Sequence, residues 1–252
     1  MSKLSVDHKT IKALFEDKKS DFLIPDYQRP YAWTDEQYQT LYNDLFAFGI
    51  PDDDYQEFDD ENAECFLETI LTFKNNELGK LEVIDGQQRL TTFMLFLCAF
   101  YVKLLNMQDE LTVRTRETIS QCIWKTDAFG KINLDILKIN SEVATDNDKE
   151  EFLKILKSSE VYDEQESNYA NNYYFFKKKL DEFVLTIISC FAYLTNRKIK
   201  NCILLPIESE KQNTALQKFS TLNDRSLLFS DADIFKIQFY KFYGKNEKYY
   251  WE

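Results

Sequence analysis

Apolar and polar residues alternate with a changing period along the chain, and that period predicts the elements. Val6, Ile11, Leu14 and Phe15 fall on one side of a short amphipathic helix over 5–19. Phe22-Leu23-Ile24-Pro25 follows as an extended segment, because the residue before proline is pushed away from helix. Tyr38, Leu41, Tyr42, Leu45 and Phe46 recur at i, i+3, i+4, i+7 and i+8. Thr34 and Gln37 form a capping box ahead of them, and Gly49 closes that helix. Strands are predicted at 66–73 and 80–84, joined by a turn that uses Asn75, Asn76 and Gly79. From Leu90 to about Asn106 the pattern is helical and apolar on nearly every side, which places that helix at the centre of the molecule. Further on, residues 113–125 read as helix, 132–139 as strand, and Asp146 to Leu156 as helix. Residues 165–195 form a long helix or a broken pair. A strand at 202–208 leads to a helix at 212–222, and Ser230 caps a last helix running to about Tyr243.

The predicted fold class is α+β, mostly helical, with a small mixed sheet and a surrounding and inserted helical section. Three stretches organise it: an α/β core at 1–110, a helical section at 111–200, and a strand with helices returning to the core at 201–252. A chain of 252 residues can bury a core without disulfide or metal staples.

Composition removes several kinds of chemistry. The net charge of −12 argues against a protein that coats duplex DNA by neutralising phosphates, so any nucleic-acid contact is local or made by another domain. A single histidine, His8, cannot build a His-based nuclease or a His-rich zinc site, and reads as a surface residue. Five cysteines with no C-x-x-C pairing, three of them in apolar runs, suit a reducing cytoplasm. The longest apolar stretch, 183–194, is too short to span a bilayer, and charges break up the N-terminus. A soluble cytoplasmic protein is expected. The acidic stretch 51–64 carries eight carboxylates but lacks EF-hand spacing, and reads as a solvated loop.

Three clusters could carry chemistry. In Val83-Ile84-Asp85-Gly86-Gln87-Gln88-Arg89-Leu90-Thr91-Thr92 a strand ends, a glycine turns and the central helix begins. The first-turn amides of a helix have no intrahelical partner and favour anions. Arg89 would add a planar fork for phosphate, and Thr91 and Thr92 either add hydroxyl donors or supply one metal ligand. Asp85 either caps the helix or binds Mg²⁺, and Arg89 is either a phosphate ligand or a surface ion-pair partner. In Ile24-Pro25-Asp26-Tyr27-Gln28-Arg29-Pro30-Tyr31-Ala32-Trp33, Arg29 stands on a stiff backbone among aromatics. That segment is either a second phosphate contact with stacking rings or an aromatic plug over the core. In Phe219-Ser220-Thr221-Leu222-Asn223-Asp224-Arg225, with Ser230-Asp231-Ala232-Asp233-Ile234-Phe235-Lys236, the carboxylates of Asp231 and Asp233 either complement a helix dipole or hold Mg²⁺. The lysine run 177–179 and the group Arg197, Lys198 and Lys200 read equally as solvated helix faces or as a DNA-backbone contact.

Taken in order, these three clusters resemble the N-terminal domain of the GmrSD-type restriction endonucleases, a DGQQR-containing relative of the ParB and sulfiredoxin fold. The resemblance covers nearly the whole chain. It implies a nucleoside triphosphate site that uses Mg²⁺ and hydrolyses its ligand to license a nuclease in defence against modified phage DNA. By position, Asp85, Gln88 and Arg89 would be catalytic. Gln28, Arg29, Gly86, Gln87, Thr91, Thr92, Asn223, Arg225 and Lys236 would bind nucleotide, and Asp85, Asp231 and Asp233 the metal. The implied partner is a nuclease domain of the His-Asn-His kind, expected outside this chain, with DNA reached through the full assembly. Two positions depart from the family pattern: Ser226 stands where a glycine is usual in the third motif, and Glu68 where one is usual in the strand ahead of DGQQR. The competing expectation is a non-catalytic DNA-sensing or protein-interaction module with a degenerate site. A sulfiredoxin-like redox role is set aside, because Cys98 falls inside the buried helix.

Overall fold

The computed structural model describes residues 4–6, 9–17, 20–49, 65–143, 146–158, 167–186 and 200–209. The expected loop at 51–64, the cluster at 219–236 and the helices after 210 lie outside them. In chain order the described elements are β1 (Leu4–Val6), β2 (Lys9–Thr10), α1 (Ile11–Glu16), β3 (Phe22–Ile24), α2 (Asp35–Gly49), β4 (Cys65–Asn75), β5 (Lys80–Asp85) and α3 (Gln87–Leu104). They continue with α4 (Glu110–Ile123), β6 (Trp124–Thr126), β7 (Ile132–Leu137), β8 (Ile139–Ser141), α5 (Lys149–Ser158), α6 (Asn168–Thr186) and β9 (Cys202–Ser209). The class is α+β with a mixed sheet, as the sequence implied.

The sheet runs β1-β9-β4-β5-β3-β8, with β2 beside β1 on the same edge of β9. β9 lies antiparallel to β1 and β2 and parallel to β4. β4 and β5 form an antiparallel hairpin, while β3 is parallel to both β5 and β8. Pro206, in β9, falls between Leu204, which pairs with Lys9 of β2, and Ile207, which pairs with Val6 of β1. A proline inside the sheet therefore coincides with the break between two edge strands, where a missing ladder donor matters least. The hairpin turn is built as expected. Asn75 Oδ1 accepts the amides of Glu77 and Leu78, both at 3.1 Å, and Gly79 takes φ +64°.

Two expectations needed correction. The helix expected over 5–19 is two short edge strands followed by α1 alone. Thr10 is the N-cap of α1 and accepts the Ala13 amide at 3.1 Å, so a hydroxyl ends the strand and starts the helix. The strand expected over 132–139 divides at Lys138 into β7, which pairs with β6, and β8, which pairs with β3. Lys138 is only 3% exposed. Its ammonium turns inward and donates to the carbonyls of Phe15 and Asp17, at the C-terminal end of α1. Burial pushes the ammonium below its ordinary value, and burial pushes the adjoining Cys122 thiol up to about 12. A Lys138→Met variant leaves both carbonyls without this donor and loses about 1–3 kcal/mol of stability, measured as a lower urea midpoint.

α3 is the central element, as its all-round apolar pattern predicts. Leu90 and every residue from Phe93 to Phe100 are buried. Phe96 packs edge-on against Phe100 (4.6 Å between centroids) and Phe176 of α6 (5.0 Å). Lys103 pairs with Asp181 further along the same two helices. These contacts fix α3 and α6 side by side, running in the same direction. α2 is started by the predicted capping pair, with the Thr34 amide donating to Gln37 Oε1 at 2.9 Å. It reaches α6 through Tyr38 against Phe175 (4.8 Å).

Candidate functional site

The corner between β5 and α3 is shaped by one residue. Gly86 has φ +86° and is the N-cap of α3, which leaves that helix with no side-chain cap. A Cβ on Gly86 would sit 3.2 Å from the Thr69 carbonyl oxygen and 3.3 Å from Ile70 Cγ1 of β4. Both the left-handed backbone and the close approach require glycine. The first intrahelical bond is Leu90 N to Gly86 O at 2.9 Å. The amides of Gln87, Gln88 and Arg89 consequently have no acceptor within the helix. Asp85 is not the cap: it is the last residue of β5, paired with Leu71. The helix begins three residues earlier than its apolar period indicated, because the first turn is polar yet buried.

Three glutamines fasten the loop 25–34 to this corner through their amide groups. Gln28 Nε2 donates to the carbonyls of Val83 (3.2 Å) and Ile84 (3.0 Å) at the end of β5. Gln87 Nε2 donates to the Arg29 carbonyl at 3.2 Å. Gln88 is bidentate, accepting the Ala32 amide at 2.8 Å through Oε1 and donating to the Pro30 carbonyl at 3.1 Å through Nε2. The first two sequence clusters are therefore one structure. The backbone of Arg29 lies against Gln87, and Arg89 follows two residues later on the same turn.

Arg89 is half-buried and donates from Nη1 to the Thr69 carbonyl at 2.7 Å, binding α3 to β4. Thr91 and Thr92 are buried, at 3% and 0% exposure. The Thr92 hydroxyl donates to the Gln88 carbonyl at 2.9 Å and lies 2.7 Å from the Tyr31 hydroxyl. Asp85 and Arg29 are half-buried. The close approach of β4 to Gly86 is made by Thr69 and Ile70, the two residues after Glu68. Asn223, Arg225, Asp231, Asp233, Lys236 and the departure at Ser226 lie outside the described residues. Among the described residues, no group of three or more His, Cys, Asp or Glu side chains is placed to hold a metal ion. Asp85 alone would suit Mg²⁺ only as one ligand beside phosphate oxygens, which is how that ion is commonly bound.

Sequence reasoning missed the contribution of α6. Asn172, fully buried, donates from Nδ2 to the Tyr31 hydroxyl at 2.6 Å. Asn168 Nδ2 donates to the Tyr31 carbonyl at 3.3 Å, and the Tyr31 ring stacks on Tyr169 at 4.7 Å and 20°. The available signal was two asparagines four residues apart on a helix face otherwise lined by Tyr169, Tyr173 and Phe176. Burial pushes the Tyr31 phenol above its ordinary value, so it stays a neutral donor.

The lysine run reads differently in place. Lys177 lies over the Tyr173 ring at 5.8 Å, and Lys179 lies over Phe175 at 6.0 Å while pairing with Glu182 at 3.2 Å. Consecutive helical residues point about 100° apart, so these three cations do not share one face. Cys98 is buried in α3 with its Sγ 3.6 Å from the Ile155 carbonyl. No helix among the described residues is long and apolar enough to cross a membrane.

A search of curated proteins found no match. The family model described as the N-terminal domain of GmrSD restriction endonuclease matches residues 11–240, a span that holds the end of β5, the loop 25–34 and α3. The chain therefore belongs to the GmrSD restriction endonuclease N-terminal domain family, and so forms part of a restriction system.

Proposed function

We propose that the β5–α3 corner binds the phosphates of a nucleoside triphosphate and, with Mg²⁺, hydrolyses it to license a nuclease that restricts modified phage DNA. The observation that carries this reading is the uncapped first turn of α3. The amides of Gln87, Gln88 and Arg89 have no acceptor within the helix, and the N-cap Gly86 has no side chain to offer one. Arg89 stands on the same turn, with the backbone of Arg29 held against Gln87. Arg89 and Arg29 are assigned to phosphate, Gly86 to the turn that presents the first amides of α3 to the nucleotide, and Asp85 to the metal. Gln88 is assigned a place in the hydrolytic machinery through its position on the same turn. Asn223, Arg225 and Lys236 complete the nucleotide site, and Asp231 and Asp233 the metal site, from the third cluster. The nuclease partner is of the His-Asn-His kind, DNA is reached through the full assembly, and the setting is the cytoplasm.

A second reading has one observation in its favour. Gln28, Gln87 and Gln88 spend their amide groups on backbone atoms of the chain itself. A module that senses DNA or docks a protein partner without catalysis needs no more of them than that. Thermal unfolding with ATP, GTP, CTP and UTP, each with and without Mg²⁺, separates the two readings. A ligand at about 100 times its Kd stabilises the folded state by roughly 2.7 kcal/mol. In a chain of this size that raises Tm by roughly 5–10 °C. A Mg²⁺-dependent rise with one or more nucleotides is the expected outcome. No rise with any of the four would favour the non-catalytic module.

A further inference from the structure

The loop 25–34 is held from two sides, by the first turn of α3 and by the first turn of α6. The hydrogen bonds that join the two sides have a fixed direction. The single proton of the Thr92 hydroxyl goes to the Gln88 carbonyl, so in the 2.7 Å contact between the two hydroxyls Tyr31 donates and Thr92 accepts. The Tyr31 oxygen is then left as an acceptor, which is what the Asn172 Nδ2 donor meets at 2.6 Å. The chain thus runs Asn172, Tyr31, Thr92, Gln88 carbonyl, with the donor of each link assigned. Asn172 Oδ1 makes no hydrogen bond among the described residues. A fully buried amide whose described bond goes to Tyr31 costs stability that an apolar residue at the same place would avoid. Alongside this chain runs a stack of three rings, Tyr31 on Tyr169 (4.7 Å) and Tyr169 on Phe152 of α5 (5.1 Å, 26°).

We infer that Tyr31 is the junction of a conformational coupling, through which the first turn of α6 sets the position of the loop 25–34 on the first turn of α3. Gln88 belongs to both halves. Its carbonyl ends the chain from α6, and its side chain grips Ala32 and Pro30. A displacement of α6 larger than a hydrogen bond tolerates releases Tyr31 and, through it, the grip of Gln88 on the loop. The helical section would thereby control the shape of the corner from a distance, with Tyr31 and Asn172 as positioning residues. The coupling belongs to the chain without any ligand, so its failure is separable from failure of the nucleotide reading.

The test is amide exchange at Ala32 in the full chain, read against core amides of α3, in Asn172→Ala, Tyr31→Phe and the double variant. The Ala32 amide bonds to Gln88 and makes no bond to α6, so an effect of Asn172 on it has to travel. Asn172→Ala is expected to speed Ala32 exchange about tenfold or more beyond any change in the core amides. Tyr31→Phe keeps the ring stack, removes one hydroxyl, and should do the same. The double variant should match Tyr31→Phe alone, since one chain can be cut only once. Three results overturn the inference: Ala32 exchange that only follows global unfolding, effects of the two substitutions that multiply, or no effect of Asn172→Ala. Should Asn172→Ala not fold, Asn172→Ser gives the remote arm of the same comparison.

Discussion

Gly86→Ala is expected to lose about 2–5 kcal/mol of stability, seen as a lower urea midpoint with an unchanged slope. Two costs add at this position. An L-residue held in the left-handed region loses roughly 1–2 kcal/mol. The new Cβ meets the Thr69 carbonyl at 3.2 Å and Ile70 at 3.3 Å, and crowding of that kind costs about 1–3 kcal/mol. β4 has limited room to retreat, because its far edge is paired along its length with β9, from Cys65 with Cys202 to Phe73 with Ser209. Gly79 offers the control. It also has positive φ, but nothing lies within 4 Å of a Cβ there, so Gly79→Ala should carry the backbone cost alone. A loss at Gly86 no larger than at Gly79 would mean that the approach of β4 is not what demands glycine.

Arg89→Ala is expected to weaken nucleotide binding about 10- to 100-fold while leaving the fold intact. A hydrogen bond to a charged group contributes about 1.5–3 kcal/mol, and each 1.4 kcal/mol is tenfold in Kd. The substitution also removes the donor to the Thr69 carbonyl, so a modest stability loss accompanies it and has to be measured separately. Arg89→Lys divides the two roles. It keeps the charge but loses the planar fork, and should recover only part of the affinity. Unchanged Kd in folded Arg89→Ala would make this arginine a strut between α3 and β4 and nothing more.

Much of the architecture was legible because its signals are local. The apolar run of α3, the Thr34–Gln37 capping pair and the Asn75–Gly79 turn each declare themselves within a few residues. What escaped was non-local. β1 and β2 exist because β9, some 200 residues away, offers an edge to pair with, and the residues around Val6 alone look no different from a helix start. Lys138 divides a predicted strand because the carbonyls of α1 need a donor, which local periodicity cannot register. The DGQQR segment was legible as a junction of strand, glycine and helix. The task of its glutamines was not, since the partners of Gln87 and Gln88 are backbone atoms some 58 residues away in sequence. Asn168 and Asn172 carry no local signal of their role, because asparagine on a helix usually faces water. Here both reach Tyr31.

The nucleotide site is tested most directly by amide exchange of the first turn of α3, with and without a saturating nucleoside triphosphate and Mg²⁺. Phosphates seated on this corner would take up the amides of Gln87, Gln88 and Arg89, and their exchange should slow by tenfold or more while amides on β7 stay unchanged. A nucleotide that raises Tm yet leaves these three amides exchanging as before would place its site elsewhere and contradict the assignment.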